Sequence, residues 1–266
     1  MPIVRVGDIN VYFEVHGDGD RVLFISGTNG DLRQMPLLGK GPLERRFQVA
    51  YFDQRGLGQT SRPDGPYSMA DYGDDAAGLL DALGWESAHV VGVSFGGMVA
   101  QQMVLRHRTR VQRLVLACTS SGGAGGSSYD LAQLEGLSPE DRMRTWLPLL
   151  DSRNDTSTDP FSLAPGMDPI VAAMAARPVQ RGDAVRGARL QLAARAGHDV
   201  WDQLPSVTQP TLVIGGLYDK QAPVQNQRNL HERVPNSQLV LCEGGHMFMY
   251  QDPSAFPAIV NFLATR

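Results

Sequence analysis

The sequence predicts an α/β fold in which helices cover both faces of a mostly parallel, eight-stranded sheet. Short apolar, β-branched runs recur along the chain, and segments with helical periodicity separate most of them. The length of 266 residues suits one such domain with an insertion. Ligands of these sheets bind beyond the carboxyl ends of the strands, so functional residues are expected at that edge.

The first elements are three strands within residues 1–27. The segment 9–15 alternates apolar and polar residues, which is typical of a half-buried antiparallel strand. Residues 22–25 are continuously apolar and indicate a strand that is buried on both faces. A fourth strand is predicted over residues 48–52. An amphipathic helix follows over 67–84, where Gly84 ends it.

The remaining strands repeat the buried apolar signature. They are predicted at residues 88–91, 113–117, 211–214 and 238–241. A helix is expected at about 223–234. The last helix is predicted to begin with Asp252 as N-cap and Pro253 as its first residue. Its apolar residues are Phe256, Ile259, Val260, Phe262 and Leu263.

Residues 122–207 interrupt this alternation. They begin with a Gly/Ser cluster and continue with helical stretches and proline breaks, without a buried-strand signature. We interpret them as an inserted helical cap on a core formed by residues 1–121 and 208–266. The alternative is a long irregular surface excursion.

Composition excludes several classes of function. The net charge of −4 argues against nucleic acid as a partner, and no run of 18 apolar residues predicts a membrane span. The N-terminus has no apolar signal segment. The two cysteines, Cys118 and Cys242, are expected to be buried free thiols, which fits the cytoplasm. No Cys/His cluster has zinc spacing, so neither a metal nor a cofactor is expected.

The segment 92–96, Gly-Val-Ser-Phe-Gly, carries the main functional signal. It lies between an apolar strand and a helix-forming run, so Ser94 occupies a tight turn at the carboxyl end of a strand. Small residues on either side let the backbone bend without a Cβ clash. This context predicts that the Ser94 hydroxyl is presented as a nucleophile.

A serine nucleophile needs a base and an acid, and both are expected at strand ends. His246 follows the last strand and two glycines, and Asp219 follows the strand at 211–214. His198 is the alternative base and Glu243 the alternative acid. The other four histidines are expected to be structural: His16, His89, His107 and His231.

Two N–H groups are needed to bind an oxyanion. The Phe95 N–H lies at the start of the helix after Ser94. The second donor is assigned to the Thr28 N–H, because Gly27 permits the required turn after the strand at 22–25. Asn29 could add a side-chain donor, and a plain glycine turn is the alternative reading of this loop.

Four motifs in this order resemble the α/β-hydrolase family over nearly the whole chain. They are the turn at 53–61 (Asp-Gln-Arg-Gly-Leu-Gly-Gln-Thr-Ser), the nucleophile elbow at 92–97, the acid loop ending in Asp219 and the Gly-Gly-His of the base loop. Within the family the chain is similar to cap-bearing esterases and lactonases such as 3-oxoadipate enol-lactonases and anthracycline methylesterases. One departure is Ser26-Gly27 where the family usually carries His-Gly.

The resemblance implies an esterase or lactonase that forms an acyl-enzyme on a small-molecule substrate. Asn29, Met98 and Met247 are predicted to line its pocket, although the methionines could be core packing. Arginines of the inserted segment could bind a substrate carboxylate or form a solvated helix face: Arg177, Arg181, Arg186, Arg189 and Arg195. Carbon–carbon bond hydrolysis, a cyclase and a ligand-binding protein without turnover are the alternatives. The oligomeric state stays open.

Overall fold

The computed structural model describes residues 2–35, 38–155, 163–175 and 182–265. Within them one sheet has eight strands in the order β1-β2-β4-β3-β5-β6-β7-β8. Its strands are Ile3–Val6 (β1), Ile9–His16 (β2), Asp20–Ile25 (β3), Phe47–Phe52 (β4), Ala88–Val93 (β5), Val111–Ala117 (β6), Thr211–Gly216 (β7) and Ser237–Cys242 (β8). The β1–β2 and β2–β4 pairs are antiparallel and the other pairs are parallel. The predicted fold class is confirmed.

Eight α-helices lie in the described residues. They are Met69–Ala82 (α1), Phe95–Arg106 (α2), Pro139–Leu150 (α3), Asp168–Ala175 (α4), Asp183–Ala196 (α5), Val224–Arg233 (α6), Phe248–Gln251 (α7) and Ala255–Ala264 (α8). The predicted strands and helices of the core all occur, with small shifts in their ends. The short helix α7 was not predicted.

Alternating side chains of the strands supply two cores. In β4, Val49 and Tyr51 face one core, and Ala50 and Phe52 face the other. Helices α1 and α2 pack on the second core, while α7 and α8 pack on the first. The central strands are therefore buried on both faces, as their continuous apolar sequences indicate.

Helix α1 shows how the sequence sets an element's boundary. Ser68 is its N-cap, and the Ser68 hydroxyl and the Asp71 carboxylate form a capping box. Gly84 follows the C-cap with a φ of +67°. Asp75 of this helix is buried and paired with Arg55 from the turn after β4.

The predicted start of the last helix is wrong by two residues. Ser254, not Asp252, is the N-cap of α8. The Asp252 carboxylate accepts hydrogen bonds from the Ser254 N–H and hydroxyl, because it forms the turn that precedes the helix.

The segment between β6 and β7, residues 122–207, is called the inserted segment below. Its described residues form α3, α4, α5 and short 3₁₀ turns, without a strand. They contain a small apolar cluster of their own, made by Leu150, Ala164, Met167 and Ile170.

Candidate active site

Ser94 sits in a strained turn between β5 and α2. Its φ of 55° and ψ of −115° lie outside the regions that residues with a Cβ normally adopt. A Cβ at Gly92 would collide with the Gly96 carbonyl oxygen, and one at Gly96 would collide with the Ile25 carbonyl oxygen. Glycine is therefore required on both sides of the serine for the backbone to close this turn.

Three polar side chains from different strand ends meet at this turn. Ser94 Oγ lies 3.0 Å from His246 Nε2, and His246 Nδ1 lies 2.8 Å from Asp219 Oδ2. All three residues are buried, and their exposed fractions do not exceed 8%. The arrangement brings an alcohol, an imidazole and a carboxylate into one hydrogen-bonded line, the geometry that activates a serine nucleophile.

Neighbouring backbone groups hold this line in place. The Ser94 N–H donates to the Ala117 carbonyl at 2.8 Å, and the Thr119 hydroxyl donates to the Ser94 carbonyl at 2.7 Å. The Ala222 N–H donates to Asp219 Oδ1 at 2.8 Å, leaving Oδ2 for the histidine. The carboxylate is thus oriented by its own loop.

Gln221 is a site residue that the sequence analysis missed. Its Nε2 lies 2.8 Å from His246 Nε2, the same nitrogen that faces Ser94. The Trp146 indole N–H donates to Gln221 Oε1 at 2.9 Å. Because an indole N–H is only a donor, this bond directs the amide NH₂ of Gln221 toward the histidine. Helix α3 of the inserted segment is thereby linked to the imidazole.

The predicted oxyanion donors lie in the loop after β3, for Thr28, and at the start of α2, for Phe95. Neither the Thr28 N–H nor the Phe95 N–H donates to a partner within the described residues. Asn29 has a φ of 57°, and its N–H donates to Gln191 Oε1 of α5 at 2.9 Å. The side-chain oxygens Thr28 Oγ1 and Asn29 Oδ1 are buried without a hydrogen-bond partner in the described part of the chain.

Two buried side chains of the turn after β4 support this loop. Asp53 accepts the Leu32 N–H and the Gln59 N–H, each at 2.8 Å. The Gln54 amide donates to the Ser26 carbonyl at 2.8 Å. Burial raises the pKa of Asp53 to about 6, and the two N–H donors oppose this shift. Ser26, where the family usually carries histidine, is thus held by Gln54.

A cavity of about 300 Å³ opens over Ser94 and His246. Apolar side chains form most of its lining: Phe24, Met35, Leu38, Leu43, Val93, Leu131, Trp146, Leu150, Met247, Met249 and Phe256. Leu131, Trp146 and Leu150 belong to the inserted segment. Asn29 and Met247 line the cavity.

Met98 lies elsewhere. It is buried in the core that α1 and α2 share and is absent from the cavity lining. It is one turn beyond Ser94 on α2, and that helix packs on a face of the sheet while the cavity opens at its edge. Met98 could have lined the pocket or packed in the core, and the structure shows core packing.

The alternative base and acid do not reach the site. Burial lowers the pKa of His198 to about 4, and its ring is not part of the hydrogen-bonded line at Ser94. Glu243 is exposed and pairs with Arg153 at 2.7 Å. The other four histidines also lie away from the cavity lining.

The arginines of the inserted segment have other partners. Arg186 donates to the carbonyls of Arg62 and Pro63, Arg189 pairs with Glu135, and Arg195 donates to the Tyr129 carbonyl. None of these three lines the cavity. Arg177 and Arg181 lie outside the described residues.

Three further features of the described residues bear on function. No group of three or more His, Cys, Asp or Glu side chains could hold a metal ion there. Within the same ranges, no helix has the length and apolarity needed to cross a membrane. Cys118 and Cys242 are buried free cysteines, and burial raises the pKa of both thiols.

Comparison with known proteins identifies the family of this chain. The chain is 35% identical over 264 residues to the 2-hydroxymuconate semialdehyde hydrolase of Pseudomonas putida, covering 93% of this chain and 88% of that protein. It is 31% identical over 229 residues to the poly(3-hydroxyalkanoate) depolymerase of Ectopseudomonas oleovorans, covering 83% and 76%.

Solved structures share the fold. The enol-lactonase from Burkholderia xenovorans LB400 superposes with a TM-score of 0.81 at 22% identity, over 99% of this chain and 100% of that one. The family model for the alpha/beta hydrolase fold matches residues 20–253. With its eight-stranded sheet and the serine turn after β5, the chain belongs to the α/β-hydrolase family.

Proposed function

We propose that this protein is a serine hydrolase that cleaves a carboxylic ester or lactone through an acyl-enzyme intermediate. The observation that carries the proposal is the continuous hydrogen-bonded line from Asp219 through His246 to Ser94, at the floor of an apolar cavity. In this role His246 takes the Ser94 proton, and Asp219 holds the imidazole tautomer and stabilises the imidazolium. The substrate is a small molecule, and the reaction needs no cofactor.

The reaction proceeds in two halves. Ser94 Oγ attacks the carbonyl carbon, and the N–H groups of Phe95 and Thr28 bind the oxyanion. His246 then protonates the leaving alcohol, and the acyl group stays on Ser94. Water that His246 deprotonates attacks the acyl-enzyme, and the acid leaves as Ser94 regains its proton.

The inserted segment acts as a cap in this proposal. It contributes Leu131, Trp146 and Leu150 to the cavity wall, and its Leu150 carbonyl accepts the His246 N–H at 2.6 Å. These contacts support a role in excluding water from the acyl-enzyme and in shaping the acyl pocket.

Hydrolysis of a carbon–carbon bond is the second candidate. The 35% identity to a 2-hydroxymuconate semialdehyde hydrolase supports it, since the same three side chains can serve that reaction. Both reactions can use these groups, and their products distinguish them.

The test combines labelling with product analysis. Purified protein is treated with a fluorophosphonate probe, and peptide mass spectrometry identifies the modified residue. We expect labelling of Ser94 and hydrolysis of p-nitrophenyl esters or lactones in excess of β-diketones. Failure to label Ser94 in the folded protein would refute the proposal, and turnover of β-diketones alone would favour the second candidate.

A further inference from the structure

Gln191 of α5 is a buried side chain that bonds to the loop of the proposed oxyanion site. Its Oε1 accepts the Asn29 N–H at 2.9 Å. Gln191 has an exposed fraction of 0%, and it is absent from the cavity lining. The side chain therefore acts on the loop that carries Thr28 rather than on a substrate.

The Thr28 N–H belongs to a turn over residues 27–30. The Gly27 carbonyl accepts the Gly30 N–H at 3.2 Å and closes this turn. In a planar trans peptide the carbonyl and the N–H point in opposite directions, so this bond also sets the direction of the Thr28 N–H. The turn lies against the nucleophile, since a Cβ placed on Gly27 would be 3.5 Å from Ser94 Cβ. A small displacement of the turn therefore moves the Thr28 N–H relative to the reacting atoms.

The turn closes through Asn29, whose backbone is strained. Its φ of 57° lies in the left-handed region, which residues with a Cβ adopt at a cost. Such a conformation persists only where the surrounding structure fixes it. Within the described residues, the bond to Gln191 is the one hydrogen bond that Thr28 or Asn29 forms. Loss of that bond would let Asn29 relax, displace the Gly30 N–H and release the peptide that holds the Thr28 N–H.

Helix α5 gives Gln191 a fixed position on the core. Gly187 is one turn earlier on the same helix face. It packs so closely on the turn after β4 that a Cβ there would collide with the Gly56 carbonyl oxygen. Beside it, Arg186 donates to the Arg62 carbonyl at 3.0 Å. Docking of α5 on this turn thus sets the distance between the Gln191 amide and the loop after β3.

The orientation of the Gln191 amide follows from its partner. A backbone N–H is only a donor, so Oε1 and not Nε2 faces Asn29. Nε2 is buried, and it has no hydrogen-bond partner in the described part of the chain. Among the described residues, the acceptor is therefore the one polar function that this side chain provides. Methionine has a similar length and volume and would remove that acceptor alone.

We propose that Gln191 is a positioning residue for the oxyanion site. By holding the Asn29 N–H, it keeps the Thr28 N–H directed at the carbonyl oxygen that becomes negative during attack by Ser94. The inserted segment then contributes to oxyanion binding as well as to the cavity wall. This inference rests on the proposed hydrolase function and adds to it a residue that does not touch the substrate.

The experiment compares an ester with its thiono analogue, in which sulfur replaces the carbonyl oxygen. The substrates are p-nitrophenyl butyrate and O-(p-nitrophenyl) thiobutyrate, and both release p-nitrophenolate when Ser94 is acylated. The measured quantity is the ratio of kcat/KM for the oxygen ester to kcat/KM for the thiono ester. Sulfur accepts hydrogen bonds weakly, so this ratio depends on how well the N–H donors fit the developing oxyanion.

Gln191→Met should lower the ratio about tenfold or more, through slower cleavage of the oxygen ester. Gln191→Asn keeps an amide but is one methylene too short for the Asn29 N–H, so it should lower the ratio as well. Gln203→Met makes the same exchange at an exposed position of the inserted segment and should leave the ratio unchanged. Ala194→Gly weakens α5 without removing the bond and should also leave the ratio unchanged.

The outcomes separate this inference from the proposed function. If esters are cleaved and both Gln191 variants keep the ratio within about twofold, the inference is overturned while the hydrolase remains. An equal loss on the two esters would overturn it too, since the side chain would then support the fold or the access route. A matching fall in the Ala194→Gly protein would have the same consequence. If no ester is cleaved and Ser94 resists the fluorophosphonate, the hydrolase itself is refuted and the inference falls with it.

Discussion

The carboxyl edge of the sheet and the inserted segment both contribute to the cavity, but different interactions hold them. At the edge, Ser94 is fixed by a strained backbone, by glycines that admit no Cβ and by hydrogen bonds to the next strand. The inserted segment reaches the site through the side chains of Gln191 and Trp146, and through the Leu150 carbonyl, which accepts the His246 N–H. The nucleophile is thus set by the backbone of its own turn, whereas the histidine and the cavity wall also depend on the inserted segment.

The largest expected difference between the two regions is in catalysis. Ser94→Ala should lower kcat/KM about 10⁵-fold, because the nucleophile is lost while binding remains. Ser128→Ala removes a hydroxyl from the inserted segment, where it contacts Ser120, and should change kcat/KM less than about threefold. Steady-state kinetics on a cleaved ester compare them, with circular dichroism to verify folding. A Ser94→Ala protein within tenfold of the original would contradict this role.

Stability should separate the regions next. Gly96→Ala places a Cβ against the Ile25 backbone and should lower the free energy of unfolding by about 4 kcal/mol or more. Gly197→Ala, at the end of α5, meets nothing closer than 3.6 Å and has a φ of −87°. It should change that free energy by less than about 1 kcal/mol. Urea unfolding measures both, and equal losses would show that the elbow is not the more constrained of the two.

The stability of the folded protein should fall in acid because of His198 in the inserted segment. Burial lowers the pKa of His198 to about 4, whereas the unfolded chain keeps it near the ordinary value of 6.5. As pH falls below 6.5, the unfolded state takes up this proton first, so the folded state loses stability until about pH 4. The histidine accounts for a loss of about 3 kcal/mol across this window.

His198→Phe tests that sign. The variant has no proton to gain at this position, so its unfolding free energy should fall less between pH 6.5 and 4 than that of the original protein. Asp53 and Asp75, whose pKa values burial raises to about 6, titrate in the same window in both proteins and cancel in the difference. If the difference in unfolding free energy between the two proteins stayed constant with pH, His198 would not be the group that causes the loss.

The same contrast explains which features of the structure the sequence could predict. The strands and the turn at Ser94 were predictable because apolar runs and glycines report local backbone requirements. The contacts of Gln191 and Gln221 were not, because a glutamine fits many surroundings and Gln191 meets Asn29 across 162 residues. The pocket prediction for Met98 was wrong for a similar reason. Sequence distance from the site does not reveal which face a neighbouring element covers.

The smallest expected effect concerns Gln221, where the two regions meet. Its amide NH₂, turned inward by Trp146, points at the one lone pair of His246 Nε2 that must accept the Ser94 proton. Once the imidazolium forms, that NH₂ faces an N–H. Gln221→Leu should therefore raise kcat/KM about threefold, since the competing donor is gone.

Trp146→Phe provides the matched variant for this contact. It keeps the ring in the cavity wall but releases Gln221 Oε1, so the amide can rotate and accept a hydrogen bond from the imidazolium. We expect a rise in kcat/KM similar to that of Gln221→Leu, and no further rise when the two changes are combined, because both act on the same bond. A fall in kcat/KM for Gln221→Leu would show that the amide orients the histidine rather than competing with Ser94, and the inserted segment would then be part of the catalytic support.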